Sequence, residues 1–184
     1  MWEELTIEDK IIISGERFPT TSLKISLSNN KDLFYDMKWD YRFTENCGLI
    51  IYKVNPDNTK EEALSVRIKD EFINAIYEVV NYASKDRIGD VKLKTMRGWE
   101  IVDKDNNCFV MKRKEKSFKE MFLPKDSSCC IVNDADIPLV DIKVTSNNVN
   151  IFAYKWLIDF SLDKNRVLDK RLVLAAVALL VTRL

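Results

Sequence analysis

A chain of 184 residues has the length of one domain and enough side chains to build a core without disulfide or metal staples. Lys plus Arg and Asp plus Glu balance at 29 each, so no net charge pulls the chain towards nucleic acid, and any electrostatic site has to come from local clustering. Histidine is absent, which removes Ser-His-Asp and Cys-His catalysis, the usual His-containing zinc sites and the commonest general base at neutral pH.

From the N-terminus, Met1-Trp2-Glu3-Glu4 carries acids where a secretory signal has bases and an apolar run. Leu23–Leu27 alternates apolar and polar residues and reads as a strand. Tyr41–Lys53 reads as a hairpin: an alternating run, a polar turn, a second apolar run and a terminal lysine. Between Glu61 and Ala83 the expectation is a helix. Thr59-Lys-Glu-Glu62 has capping-box spacing, and Phe72, Ile76, Val79, Val80 and Ala83 recur at helical intervals. Leu64-Ser-Val66-Arg-Ile68 alternates like a strand, so strand or irregular chain is expected through Ile68 and helix from Lys69. Val91–Lys94, with Gly89 before it, reads as a further strand.

Trp99–Lys112 and Cys130–Lys143 repeat the pattern of Tyr41–Lys53, with Asn and Asp in the turns, where they tolerate left-handed backbone. The irregular spacing of the three copies excludes a solenoid and points to one antiparallel sheet. Val149–Phe160 is a strand with Tyr154, Trp156, Ile158 and Phe160 on one face. Arg171–Val181 follows a capping Asp169 and is apolar on every side. Such a helix is buried in protein or in lipid. It is about half the ~20 residues of a bilayer span, so protein is the better host. The strands have to curl around it, which implies a closed or nearly closed barrel with the helix as its plug.

The stretch Ile88-Gly-Asp-Val-Lys-Leu-Lys…Gly98-Trp-Glu-Ile-Val-Asp103-Lys-Asp-Asn-Asn-Cys-Phe-Val-Met-Lys-Arg-Lys114 resembles the central hairpins of the LURP-one-related and phospholipid-scramblase-like proteins. Their pattern is I-G-x-I-x-x-K followed by W-E-I-x-D-x-D-G-N and a basic strand end. The tail Tyr154-Lys-Trp-Leu-Ile-Asp159-Phe-Ser…Leu168-Asp169-Lys-Arg171-Leu-Val-Leu-Ala-Ala-Val-Ala-Leu-Leu is similar to the family's closing strand and buried helix. Together they cover Ile88 to Leu184, and residues 1–87 match only through the Tyr41–Lys53 hairpin. The resemblance implies one tubby-like domain over residues 1–184, mainly β (α+β): an antiparallel barrel of about twelve strands around a hydrophobic C-terminal helix. It implies a binding module without catalytic residues or cofactor, whose tubby-like members hold phosphoinositide headgroups on basic side chains. Scramblases add an acidic calcium segment before the last helix; Phe152 stands where its carboxylate would be, so no calcium is expected here.

Lys92, Lys94, Arg97, Lys112, Arg113, Lys114 and Lys116, with Lys119 beyond them, are the candidate anion-binding residues. On paired strands alternate side chains project together, so these cations converge on one face. They then either grip a phosphate or form a solvated face that deters edge pairing. No aromatic residues interleave with them, so nucleic acid is not expected as a partner. Asp103-Lys-Asp105-Asn-Asn107 imitates a calcium loop but has Cys108 at its sixth position and Lys114 at its twelfth, so it reads as a turn. Asp134, Asp136 and Asp141 read likewise, and no metal site is expected. Cys47, Cys108, Cys129 and Cys130 form no C-x-x-C pair, and adjacent cysteines rarely bond each other. Free thiols in a cytoplasmic protein are expected, with one of Cys129 and Cys130 facing the core. Trp39, Trp99 and Trp156 are expected in the core or at its rim.

Three functions compete on these residues. The first is a binding module at an anionic membrane surface. The second is a protein-interaction domain that offers an exposed strand or the Glu61–Ala83 helix to another protein. The third is an enzyme using Glu100 with Asp103, for which no spacing argues.

Overall fold

In the computed structural model the alternating segments become strands, and the apolar tail becomes the one α-helix of the described residues. The structure describes residues 9–16, 22–27, 34–40, 48–70, 75–94, 98–113, 128–146 and 153–183. Twelve strands follow one another as β1 (Lys10–Glu16), β2 (Ser22–Leu27), β3 (Phe34–Asp40), β4 (Gly48–Val54), β5 (Lys60–Asp70), β6 (Ile76–Asn81), β7 (Arg87–Lys94), β8 (Gly98–Asp103), β9 (Cys108–Arg113), β10 (Ser128–Val132), β11 (Pro138–Ser146) and β12 (Ala153–Asp159), and α1 is Lys170–Arg183. Each strand lies antiparallel to the next in sequence, and β1 pairs with β12 through Ile13↔Trp156 as well as with β2 through Ile13↔Ile25. The strands thus make one antiparallel sheet with a single helix at the C-terminal end of the described residues.

The inward positions follow the two-residue period of the strands. Leu49 and Ile51 on β4, Trp99 and Ile101 on β8, Phe109 and Met111 on β9, and Trp156 and Ile158 on β12 are buried. They meet α1, where Leu172 through Leu179 are all 0% exposed. A helix apolar on all sides needs such a wrapping, and the sheet supplies it. Its start is fixed by Asp169. The Arg171 N–H donates to Asp169 Oδ1 at 2.9 Å, and the Arg171 guanidinium holds the same carboxylate, Nη2 to Oδ2 at 2.5 Å. Among the described residues no helix is long and apolar enough to cross a membrane.

The segment Glu61–Ala83 is not helical. Lys60–Asp70 is β5, Ile76–Asn81 is β6, and the two pair through Val66↔Val79; residues 71–74 lie outside the described part. Thr59, read as a helix cap, instead closes the β4–β5 turn. The helical spacing came from consecutive buried residues that break the alternation of a strand. Across from Val79 and Val80 the register skips Ile88, so the extra residue sits on β7, while Val79 and Val80 are both buried and mask the strand period of β6. The hairpin read over Tyr41–Lys53 is also displaced. The partner of β4 is β3, which ends at Asp40, and residues 41–47 lie outside the described part.

The turns at the helix-start end share one construction. In Asn55–Thr59, Asp103–Asn107 and Asn133–Ile137 the first N–H donates to the last carbonyl, at 2.9, 3.1 and 3.1 Å. The fourth N–H donates back to the first carbonyl, and the fourth residue is left-handed: Asn58 at φ 64°, Asn106 at 66° and Asp136 at 64°. Asn and Asp occupy these positions because their short polar side chains tolerate that conformation. The repeated pattern in the sequence is therefore a repeated turn, and it sets Asp103 at the end of β8 and Asp136 within the β10–β11 turn.

Candidate functional site

The basic strand face lies on the outside of β7, β8 and β9, where Val91, Trp99, Ile101, Phe109 and Met111 take the inward positions and Lys92, Lys94, Glu100 and Lys112 the outward ones. Lys92 pairs with Glu100 across the β7–β8 ladder, and Lys94 with Gly98. The face is not a bare run of cations. Glu100 takes Lys92 at 3.8 Å and is in direct contact with Lys94. Lys112 is bonded to Asp136, which the β10–β11 turn brings over from 24 residues away. The Lys112–Asp136 pair is exposed at both partners and contributes little to stability. Arg97, Lys114, Lys116 and Lys119 lie outside the described residues, as does the side chain of Arg113.

Glu100 organises this face. Burial pushes its carboxyl upward, but the hydrogen bond and charge of Lys94, the charge of Lys92 and a hydrogen bond from Cys108 outweigh it and leave it below the usual glutamate range. The sign for stability follows. The ion pairs are fully present above the ordinary glutamate value of about 4.3 and are lost as pH falls through the lower folded value. Glu100→Gln is therefore expected to flatten the acid side of the stability–pH profile between pH ~5 and ~3. Urea midpoints measured across that range check this; an unchanged acid slope would remove Glu100 from its organising role.

One detail sets the shape of the face. Gly98 pairs with Lys94 on β7, and a Cβ built on it would lie 3.0 Å from the carbonyl oxygen of Met111 on β9, the residue before Lys112. Gly98 is exposed, with φ at +82°. Two lysines thus flank a position without a side chain, about 10 Å apart across two ladder spacings.

The remaining motifs resolve as follows. Asp103 Oδ1 accepts from the N–H groups of Asp105 and Asn107, both at 2.8 Å, and Oδ2 from Asn107 Nδ2 at 2.7 Å. That carboxylate is committed to its turn, and Glu100 to its lysines, so the two are not brought together as an acid–base pair. Among the described residues no group of carboxylates and cysteines is arranged to hold a metal. Cys108, Cys129 and Cys130 are free thiols; Cys129 faces the core and Cys130 is half-buried, while Cys47 lies outside the described residues. Burial, with Glu100 beside it, pushes the Cys108 thiol up, so it stays protonated at neutral pH. Trp99 and Trp156 are in the core; the side chains of Trp39 and Tyr154 are outside the described part.

Sequence reasoning missed the counter-ions of the basic face and a second concavity. At the end where α1 begins, a cleft of about 600 Å³ opens between the β6–β7 turn, the β8–β9 turn and the segment from β12 into α1. Its parts are far apart in sequence, so no local pattern announces it. No family model, curated protein or solved structure matches this chain.

Proposed function

We propose that the chain is a non-catalytic, tubby-like binding module of the LURP-one-related and scramblase-like kind, whose twelve strands form a barrel around α1. It works at the periphery of a cytoplasmic membrane face and grips an anionic phospholipid or phosphoinositide headgroup. The observation that carries this reading is Gly98 on the outer face, paired with Lys94 on one side and set against the Met111–Lys112 stretch of β9 on the other. A phosphate seated over Gly98 reaches an ammonium on either side, and charge-assisted bonds to two lysines compensate for the exchange of Glu100 and Asp136 as their partners. Glu100 competes with the headgroup, because it holds Lys92 and Lys94 in the free protein.

Flotation with vesicles containing phosphoinositide or phosphatidylserine, at two salt concentrations, tests this. Salt-sensitive binding is expected. Lys94→Glu with Lys112→Glu is expected to abolish it, and Glu100→Gln to strengthen it. Binding that ignores all three substitutions would reject the site. A second reading, docking of a partner protein, is favoured by Tyr82, Ile137, Leu162 and Val167, which are exposed apolar residues on connections at the helix-start end. A folded protein that floats with no anionic vesicle would leave that reading standing.

A further inference from the structure

We infer that Asp136 is a built-in stand-in for the ligand's anion: in the free protein its carboxylate occupies the ammonium of Lys112, and it has to leave before a phosphate can bind there. This rests on the headgroup reading and adds its regulation. The β10–β11 turn does not need the carboxylate. It is closed by the Asn133 N–H donating to the Ile137 carbonyl at 3.1 Å, the Asp136 N–H to the Asn133 carbonyl at 3.0 Å, and the Ile137 N–H to Asn133 Oδ1 at 2.9 Å. The left-handed backbone of Asp136 belongs to that turn and suits Asn as well as Asp. The two other turns of the same construction carry Asn58 and Asn106 at this position. The third differs from them by one charge, and that charge is bonded to Lys112 on the adjacent strand β9.

Stability does not account for the contact. Both side chains are exposed, 47% at Lys112 and 69% at Asp136, and an ion pair of that kind contributes little to the fold. The other counter-ion of the face is placed differently. Glu100 is 15% exposed, lies on strand β8 and is held by Lys92 and Lys94 together. Asp136 lies on a turn and, among the described residues, has the one partner, so it yields first. A phosphate arriving at Lys112 takes its place, with charge-assisted hydrogen bonds from Lys112 and, across Gly98, from Lys94. The displaced carboxylate stays nearby on the same turn and repels the ligand that replaced it. The affinity of the protein is thereby held below what its lysines alone would give.

The test floats the full chain with phosphatidylcholine vesicles containing phosphatidylserine. In parallel, mass spectrometry follows how fast the Lys112 amine of the free protein is acylated. Asp136→Asn is expected to keep the fold, since Asn stands in both sister turns, and to bind about two- to fivefold more tightly, the range of an exposed ion pair. Its Lys112 is expected to acylate faster. Asp134→Asn removes the same charge from the same turn without touching the Lys112 pair. It is expected to give a smaller gain in binding and no change at Lys112. Equal gains in the two variants would show that net charge alone acts, and would overturn the inference. If Lys94→Glu with Lys112→Glu abolishes binding while Asp136→Asn binds as the unsubstituted chain does, the headgroup reading stands and this inference falls. If neither the unsubstituted chain nor Asp136→Asn floats, both fall.

Discussion

Val177→Asp is expected to abolish the folded state. Val177 is 0% exposed and sits mid-helix among Leu174, Ala176 and Ala178, which are equally enclosed. A carboxylate there has no water and, among the described residues, no cation on its own helix between Arg171 and Arg183. The cost of an unpaired buried ion is several kcal/mol. That is comparable with the ~5–15 kcal/mol by which a typical domain is stable. Loss of the cooperative unfolding transition is the expected readout. Leu174→Ala gives the graded version, because it removes buried methyl groups and leaves a cavity that the surrounding sheet fills poorly. The expected loss is about 3 kcal/mol, read from the shift of the urea midpoint. Tolerance of both substitutions would mean that α1 is not enclosed.

Gly89→Ala is expected to destabilise by about 3 kcal/mol through overpacking where strand and helix meet. Gly89 lies on β7 opposite Asp103, and a Cβ built on it comes within 2.3 Å of the Val102 carbonyl oxygen and 3.0 Å of both Leu172 methyl carbons. The Leu172 side chain has little room to retreat, since it is itself 0% exposed. The carbonyl belongs to the neighbouring strand and cannot move without disturbing the β7–β8 ladder. Relief therefore requires either a shift of α1 along the sheet or a break in that ladder. The denaturation midpoint measures the cost. A companion Leu172→Ala change is expected to recover little of it, because the closer clash is with backbone. Full recovery in the double variant would show that the helix side chain, not the ladder, sets the limit.

The elements around Gly89 were legible in the sequence. The I-G-D-V run around it and the W-E-I-V-D-K-D-N-N run after it show period-two alternation closed by turn residues, and both became strands where expected. The C-terminal helix was legible because nothing else makes a run apolar on every side beside a capping Asp169. The segment from Glu61 to Ala83 was misread for a physical reason. A bulge opposite Ile51/Tyr52 makes Ala63 the extra residue of β5 and buries it beside Leu64, another leaves Lys69 unpaired between Ile68 and Asp70, and on β6 Val79 and Val80 are buried in succession. A strand with a bulge loses its period of two and can imitate one of 3.6. The β-branched content of Ile76, Val79 and Val80 was the better guide.

The candidate sites were legible only in part. The cations of β7 and β9 can be read from the chain, but their counter-ions cannot. Glu100 reaches Lys92 and Lys94 from the adjacent strand, and Asp136 reaches Lys112 through the β10–β11 turn. A charge cluster in sequence thus became a partly neutralised face, in which the bare Gly98 between two lysines matters more than the number of cations. The cleft was illegible because Asp86, Lys104 and Arg166 come from three separate connections, and only the antiparallel order of the strands brings those to one end.

The burial of α1 supports the whole arrangement, and amide hydrogen exchange tests it most directly. The amides of Leu172 through Leu179 are expected to exchange only through global unfolding, with protection free energies equal to the stability measured in urea and falling in step with it in Leu174→Ala. Exchange of those amides by local opening, well ahead of the strands that surround them, would contradict a helix wrapped on all sides by its own sheet.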